Sequence, residues 1–224
     1  IRKDCFRKGY LRKAIKISLP VGFEHFVVCA AQITSTKIVA PLGIVAIAAN
    51  SFGITAEALC YMPGYGIADA ATTLVGQGIG AKKENVAKYF AKISTMIGMV
   101  LMSAMAVIMF FAAPYIMAML SADAKVVALG TKILRIEMFA EPMYAASIVA
   151  SGALRGAGDT FVPSLMNFGS IWLVRMPLSY LLSLSMGLRG MWFAMCIELI
   201  FRGSIFLYRL FKVRWWEKAK NRIQ

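Results

Sequence analysis

Ser151-Gly152-Ala153-Leu154-Arg155-Gly156-Ala157-Gly158-Asp159-Thr160 is the stretch on which the reading of this chain turns. Three glycines, an arginine and an aspartate fall within ten residues, a composition that ends helices and makes turns. On either side the sequence is apolar over 133–154 and 162–185. A helix rises about 1.5 Å per residue, so about 20 apolar residues cross the hydrocarbon core of a bilayer. The stretch therefore reads as a turn at a membrane surface, between two spanning helices.

Working outward, four more segments meet that length, at 17–39, 45–68, 93–120 and 191–210. Of 224 residues 59% are hydrophobic and only 16% charged, whereas soluble domains carry about 25% charged residues. Backbone groups in lipid must be satisfied within their own segment, which favours helices, and the alternation of a barrel strand is missing. The expected fold class is an all-α membrane protein with six transmembrane helices. Residues 1–16 read as a basic cytoplasmic linker, 17–211 as the six-helix lobe and 212–224 as a cytoplasmic tail. Ile1 and the basic start suggest part of a longer protein.

The net charge of +14 would suggest nucleic acid in a soluble protein. Here the cations are segregated between apolar runs, and no nucleic-acid partner is expected. Eighteen Lys and Arg fall in the N-terminal segment, at 82–92, at Arg155 and in the tail from Arg209. Only Lys37, Lys125, Lys132 and Arg189 fall on the opposite side. The positive-inside rule places both termini in the cytoplasm, with Trp215 and Trp216 as interfacial anchors. Cys5, Cys29, Cys60 and Cys196 have no paired spacing, so neither a disulfide framework nor a metal cluster is expected. No cofactor is implied.

The stretch 151–160, with Glu141-Pro142 before it and Pro163, Arg175 and Pro177 after it, resembles the signature of the multidrug and toxic compound extrusion (MATE) family. So do Met62-Pro63-Gly64-Tyr65-Gly66 and Thr72-Thr73-Leu74-Val75-Gly76-Gln77. The resemblance runs from about 14 to 209. It implies one lobe, the C-terminal one, of a twelve-helix, two-lobe transporter in the plasma membrane, with an N-terminal six-helix lobe as partner on the same chain. An even number of spans with both ends inside permits such a parallel repeat. The implied activity is antiport of organic, cationic or amphipathic small molecules against H⁺ or Na⁺. Some relatives carry an acid eight residues after the proline of the first span and another eight before the Gly of Gly-Ala-Leu-Arg-Gly. Here those positions are Val28 and Tyr144, and Glu141 stands where Gln is frequent.

Ionisable residues at membrane depth are costly and mark function or pairing. Glu57 lies roughly 18 Å and Glu141 roughly 12 Å from the outer face by helical rise, and both are candidates for ion coupling. Pro142 frees a carbonyl beside Glu141, where a proton or Na⁺ would bind. Glu24, Gln32, Asn50 and Asp69 are candidate substrate or gate residues, with Asp69 and Gln77 near the cytoplasmic end of the second span. Glu24 reads equally as an interfacial group. Arg175, Glu198 and Arg202 share a layer and suggest a structural ion-pair network. The third span carries no ionisable group at depth and is expected at the lipid periphery.

Two other functions are weighed against transport of drugs. A flippase of lipid-linked sugars belongs to the same superfamily. Gly156-Ala157-Gly158-Asp159 also formally resembles the Gly-x-Gly-Asp motif of intramembrane proteases, but such chemistry needs two carboxylates in one site. Capping of the following helix by Asp159 is the better reading, and the chain is not expected to be an enzyme.

Orientation is open to a direct test. In a cysteine-free background, a cysteine at position 85 should react with an impermeant thiol reagent only from the cytoplasmic side, and one at position 124 only from outside. The reverse pattern overturns the topology.

Overall fold

The computed structural model describes residues 8–213 and Trp215; Cys5, Trp216, the first seven residues of the expected linker and most of the expected tail lie outside the described residues. Helix α1 (Lys8–Val39) ends in a short 3-10 turn, Ala40–Leu42. Gly43, at φ 95°, then reverses the chain into α2 (Ile44–Gly80); that left-handed angle suits a residue without Cβ. The remaining helices are α3 (Glu84–Leu120), α4 (Ala124–Glu137), α5 (Glu141–Gly156), α6 (Phe161–Gly169), α7 (Met176–Met186) and α8 (Leu188–Lys212). Helices α6 and α7 are continuous through a π-helical segment, Ser170–Arg175. Among the described residues there is no strand.

Four of these helices are long and apolar enough to cross a membrane alone, and α4–α5 and α6–α7 supply the other two crossings as composites. The protein is an all-α membrane protein with six crossings. Several boundaries differ from the sequence expectation. Helix α1 starts at Lys8, within the segment read as a linker. Helix α2 runs on to Gly80 instead of stopping near 68. Its 37 residues amount to about 55 Å, longer than the core of a bilayer, so Asp69 lies well inside the helix. The glycines at its end allow close approach: a Cβ on Gly78 would stand 3.0 Å from that of Ala87.

The largest correction concerns 133–154, expected as one kinked span. The chain breaks at 138–140, where Ala140 N donates to the Glu137 carbonyl at 2.8 Å. Pro142 then falls in the first turn of α5, where its missing N–H costs no helical bond. Asp123 caps α4, accepting from Lys125 N at 2.8 Å. Trp215, expected as an interfacial anchor, is buried beside Phe206 and Leu210 and donates its indole N–H to the Leu210 carbonyl.

Packing divides the lobe. Helix α2 is central, with α3, α4 and α5 against it, while α1 packs chiefly on α6 and α7. Helix α8 joins the two groups through α5 and α7. Helix α3 buries Ala87, Ala91, Thr95 and Met102 and turns Val100, Val107, Phe111 and Tyr115 outward, as suits a helix with one face to lipid. Small residues set the tightest contact. A Cβ on Gly152 would come within 2.6 Å of the Ala68 carbonyl oxygen, and one on Gly156 would strike the Thr72 backbone. Thr72 Oγ1, 2.8 Å from the Gly152 carbonyl, ties the same two helices. Such small-residue crossings substitute close packing for a hydrophobic drive that lipid cannot supply.

Gly156→Val should therefore destabilise the fold by about 1–3 kcal/mol, read as a lower melting temperature in detergent. The same change at Gly80, where an added Cβ meets nothing within 4 Å, should be far milder. Equal melting of the two variants would contradict the close α2–α5 contact.

Candidate functional site

A cavity of about 590 Å³ lies where the two groups of helices meet. Helix α1 contributes Glu24, His25 and Gln32; α2 contributes Asn50, Glu57, Tyr61, Tyr65 and Asp69; α5 contributes Tyr144, Ser151 and Arg155. Asn167 and Arg175 come from α6 and the π-segment, and Trp192, Met195 and Arg202 from α8. On α2 these positions recur at helical spacing, so one face of the helix is polar and aromatic along the cavity. Tyr61 stands T-shaped to both Tyr65 and Tyr144, with ring centroids 5.7 and 5.8 Å apart. The Trp192 indole donates to Asn50 Oδ1 at 3.0 Å, locking α8 to α2.

At the end of the cavity nearest the 151–160 turn, Glu24 is held by three donors. Arg155 Nη2 is 2.6 Å from Oε1, Asn167 Nδ2 is 2.7 Å from the same oxygen, and Ser164 Oγ is 2.8 Å from Oε2. Glu24 is thus a clasp between α1 and the α5–α6 corner. A carboxylate satisfied by charge-assisted bonds is costly to strip of one partner. Beside it Asp159 pairs with Arg209 of α8. This corrects the expectation that Asp159 caps the next helix, since α6 has no side-chain cap at Thr160. It also leaves Asp159 engaged with a cation, not in a dyad of acids.

Deeper, the expected ion-pair layer is partly rearranged. Glu198 Oε1 accepts from Ser170 Oγ at 2.5 Å and lies 3.1 Å from Arg202 Nε, one helical turn on. The Arg202 guanidinium also covers the Tyr144 ring at 5.4 Å. Arg175, expected in that network, reaches the sulfur of Met195 instead. It lies at the end of the π-segment and lines the cavity.

The two proposed coupling acids are placed differently from one another. Glu57 is buried but lines the cavity. Glu141 is fully buried behind the cavity wall, and Glu137, four residues earlier across the helix break, is equally buried. Among the described residues the Glu137 oxygens meet no hydrogen-bond donor, and the side chain facing Glu141 is the Cys60 thiol. Glu57, Glu137 and Glu141 lie on α2, α4 and α5, and α4 and α5 both pack against α2. Among the described residues no three His, Cys, Asp or Glu side chains gather in a metal-holding arrangement. Sequence reasoning left Glu137 out of the site. The signal was the spacing Glu137-x-x-x-Glu141-Pro142, obscured by treating the region as one helix. The tyrosines were also missed, although Tyr61 and Tyr65 follow Glu57 at four and eight residues.

Comparison with known proteins agrees with this architecture. The MatE family profile matches residues 20–181. A "Probable multidrug resistance protein NorM" of Chromobacterium violaceum is 32% identical over 203 residues, covering 88% of this chain and 43% of that protein. The protein of the same description from Thermotoga maritima is 27% identical over 93% of this chain and 45% of its own length. Among solved structures, the Vibrio cholerae MATE transporter VcmN in its bent form superposes with a TM-score of 0.86 at 15% identity, over 98% of this chain and 49% of that one. A Pyrococcus furiosus MOP superfamily transporter, described as having a binding pocket of reversed polarity, gives 0.85 at 19% identity over 90% and 45%. The chain spans about half the length of the relatives it matches.

The Glu24 clasp generates a prediction of its own. In a double-mutant cycle of Glu24→Gln and Arg155→Gln, thermal stability should show a coupling of about 1–3 kcal/mol. Additive effects would mean that the two groups act independently.

Proposed function

The chain belongs to the MatE family, and from that membership we propose that it is the C-terminal lobe of a secondary antiporter. The whole protein would export organic cationic or amphipathic compounds across the plasma membrane, driven by inward H⁺ or Na⁺. Its partner would be an N-terminal six-helix lobe, and both termini would lie in the cytoplasm. Multidrug resistance proteins among the relatives are the source of the substrate class; the buried acids of this chain are what make it chemically sensible.

The observation that carries the reading is the arrangement of Glu57, Glu137 and Glu141. Glu57 lines the cavity, and Glu137 and Glu141 are fully buried on the two helices packed against its own. Three acids that repel one another share a site most easily when some of them hold a proton or a cation. An ion arriving from outside would occupy the buried pair, relieve the repulsion and release Glu57 from its need for a cation. A cationic cargo held against Glu57 would then lose its partner and leave. The reverse exchange reloads the lobe. A ligand shifts a conformational equilibrium only through such a difference in affinity between states.

Movement has structural provision. The α1–α6–α7 group meets the rest of the lobe across the cavity, with the Glu24–Arg155 clasp at one end and the Asn50–Trp192 bond on the opposing wall. Alternating access in transporters of this general design rocks helix groups around a site near the midplane. The helix break at 138–140 would serve as a joint beside Glu141.

In the full-length protein reconstituted in vesicles, Glu141→Gln should abolish ion-coupled efflux of tetraphenylphosphonium while leaving expression and membrane insertion intact. Glu137→Gln and Glu57→Gln should abolish or weaken it. Efflux in Glu141→Gln with unchanged dependence on the H⁺ and Na⁺ gradients removes that residue from the mechanism.

A further inference from the structure

Helix α3 and the broken crossing α4–α5 enclose a second hollow, a groove of about 310 Å³. Val107, Phe110 and Phe111 line it from α3, and Met138, Phe139 and Pro142 from the break between α4 and α5. The large cavity takes no lining residue from α3, so the two spaces are separate. This groove faces outward: Val107 is 59%, Phe111 69% and Phe139 71% exposed. Its one lining hydroxyl, Ser103, is spent on the Met99 carbonyl, and every other lining side chain is apolar.

One end of the groove carries charge. Arg135 lies one helical turn before Phe139, half-buried. Its Nε donates to the Phe110 carbonyl at 3.1 Å, and its guanidinium covers the Phe110 ring at 5.1 Å. These two contacts hold the cation against the groove wall. Among the described residues Arg135 takes part in no salt bridge. Nε is one of five N–H donors of a guanidinium, and the planar fork suits a phosphate with two parallel bonds. Lys132, three residues earlier and exposed, adds a second cation on the same helix face.

Depth gives the groove a direction. Phe110 precedes Leu120, the end of α3, by about 15 Å of helical rise. Centred on a hydrocarbon core of about 30 Å, the 37 residues of α3 overhang it by about 12 Å at each end. Phe110 and Arg135 then stand about 3 Å inside the core boundary, where a guanidinium reaches the headgroup layer. From there the groove descends toward the midplane, past Val107 on one wall and Pro142 on the other. Cation at the rim and apolar channel below is the polarity of a phospholipid in that leaflet.

We propose that this groove is a phospholipid site in the leaflet at the 121–123 turn, the outer one on the charge count. Arg135 and Lys132 hold the phosphate, and one acyl chain lies between α3 and the helix break, against Phe111 and Phe139. The site does not depend on which compounds the lobe moves.

The probe is phosphatidylglycerol with a photoreactive diazirine in one acyl chain, titrated into the delipidated full-length protein in dodecyl maltoside, with labelled positions mapped by peptide mass spectrometry. Label should saturate within 103–111 and 138–142. Arg135→Gln should raise the half-saturating lipid concentration about tenfold, as for loss of a charge-assisted bond, and Lys132→Gln about fivefold. Val107→Trp, which fills the groove from an exposed position, should abolish saturable label. Diacylglycerol with the same chains and diazirine, lacking the phosphate, should bind about tenfold more weakly than phosphatidylglycerol. Label that does not saturate, or that falls equally on Val100 and the rest of the exposed face of α3, means ordinary solvation by lipid and overturns the proposal. So does an equal curve for diacylglycerol, or unchanged curves in both cation variants. Absence of label from the groove means that protein covers it, and a disulfide between two chains through Phe139→Cys would identify a second copy as the cover; either result overturns the proposal. Should Arg135→Gln lower the melting temperature because Phe110 loses its donor, Lys132→Gln and Val107→Trp, both at exposed positions, decide the matter alone.

Discussion

The approach of α5 to α2 at Gly152 and Gly156 is the contact on which the rest of the lobe depends. Backbone lies against backbone there, with the Thr72 hydroxyl closing the seam. In lipid no hydrophobic force pulls two helices together, so closeness has to come from the absence of side chains. One consequence is a fixed register between the two helices. It brings the polar face of α2, with Glu57 and Tyr61, alongside the stretch of α5 that bears Glu141 and Tyr144. Larger residues at either glycine would part the helices and open the wall between the cavity and the buried acids.

Charges in this lobe fall into two kinds. Some are consumed by structure: Glu24 with Arg155, Asp159 with Arg209, Glu198 with Arg202. They tie α1, α8 and the 151–160 turn into a single end of the molecule. Among the described residues the others, Glu57, Glu137, Glu141 and Arg175, form no salt bridge. Structural pairs of this sort add little net stability once desolvation is counted, and their strongest effect is on geometry. The unpaired set is where exchange with ions or cargo changes the energy most. A lobe that separates the two sets can hold its shape while its working charges change partner.

Much of this was legible in the sequence. Length and apolarity of each segment determine the crossings, since lipid leaves no alternative to internally bonded helices, and the motif around Gly152 pointed to the family. Glu57 and Asn50 were singled out as polar groups in the second span, and both line the cavity. What the sequence did not disclose were effects that depend on who stands opposite. Asp159 looked like a helix cap because its partner, Arg209, is fifty residues away. Arg175 and Glu198 looked paired because depth along the helix says nothing about direction around it, and a π-segment alters that direction. The break at 138–140 was hidden because all the residues around it are acceptable in a helix, and a proline signals equally a kink or a first turn.

The bond between Trp192 and Asn50 has an optical consequence. An indole emits at a wavelength set by the polarity around it, and this one stands in the cavity wall with its N–H held by a single amide oxygen. Water entering the cavity, or an aromatic molecule stacking there, alters the field at that ring. With Trp172, Trp215 and Trp216 replaced by phenylalanine, the protein becomes its own dye: one fluorophore, built into the wall, reporting whether the space beside it is wet, dry or filled.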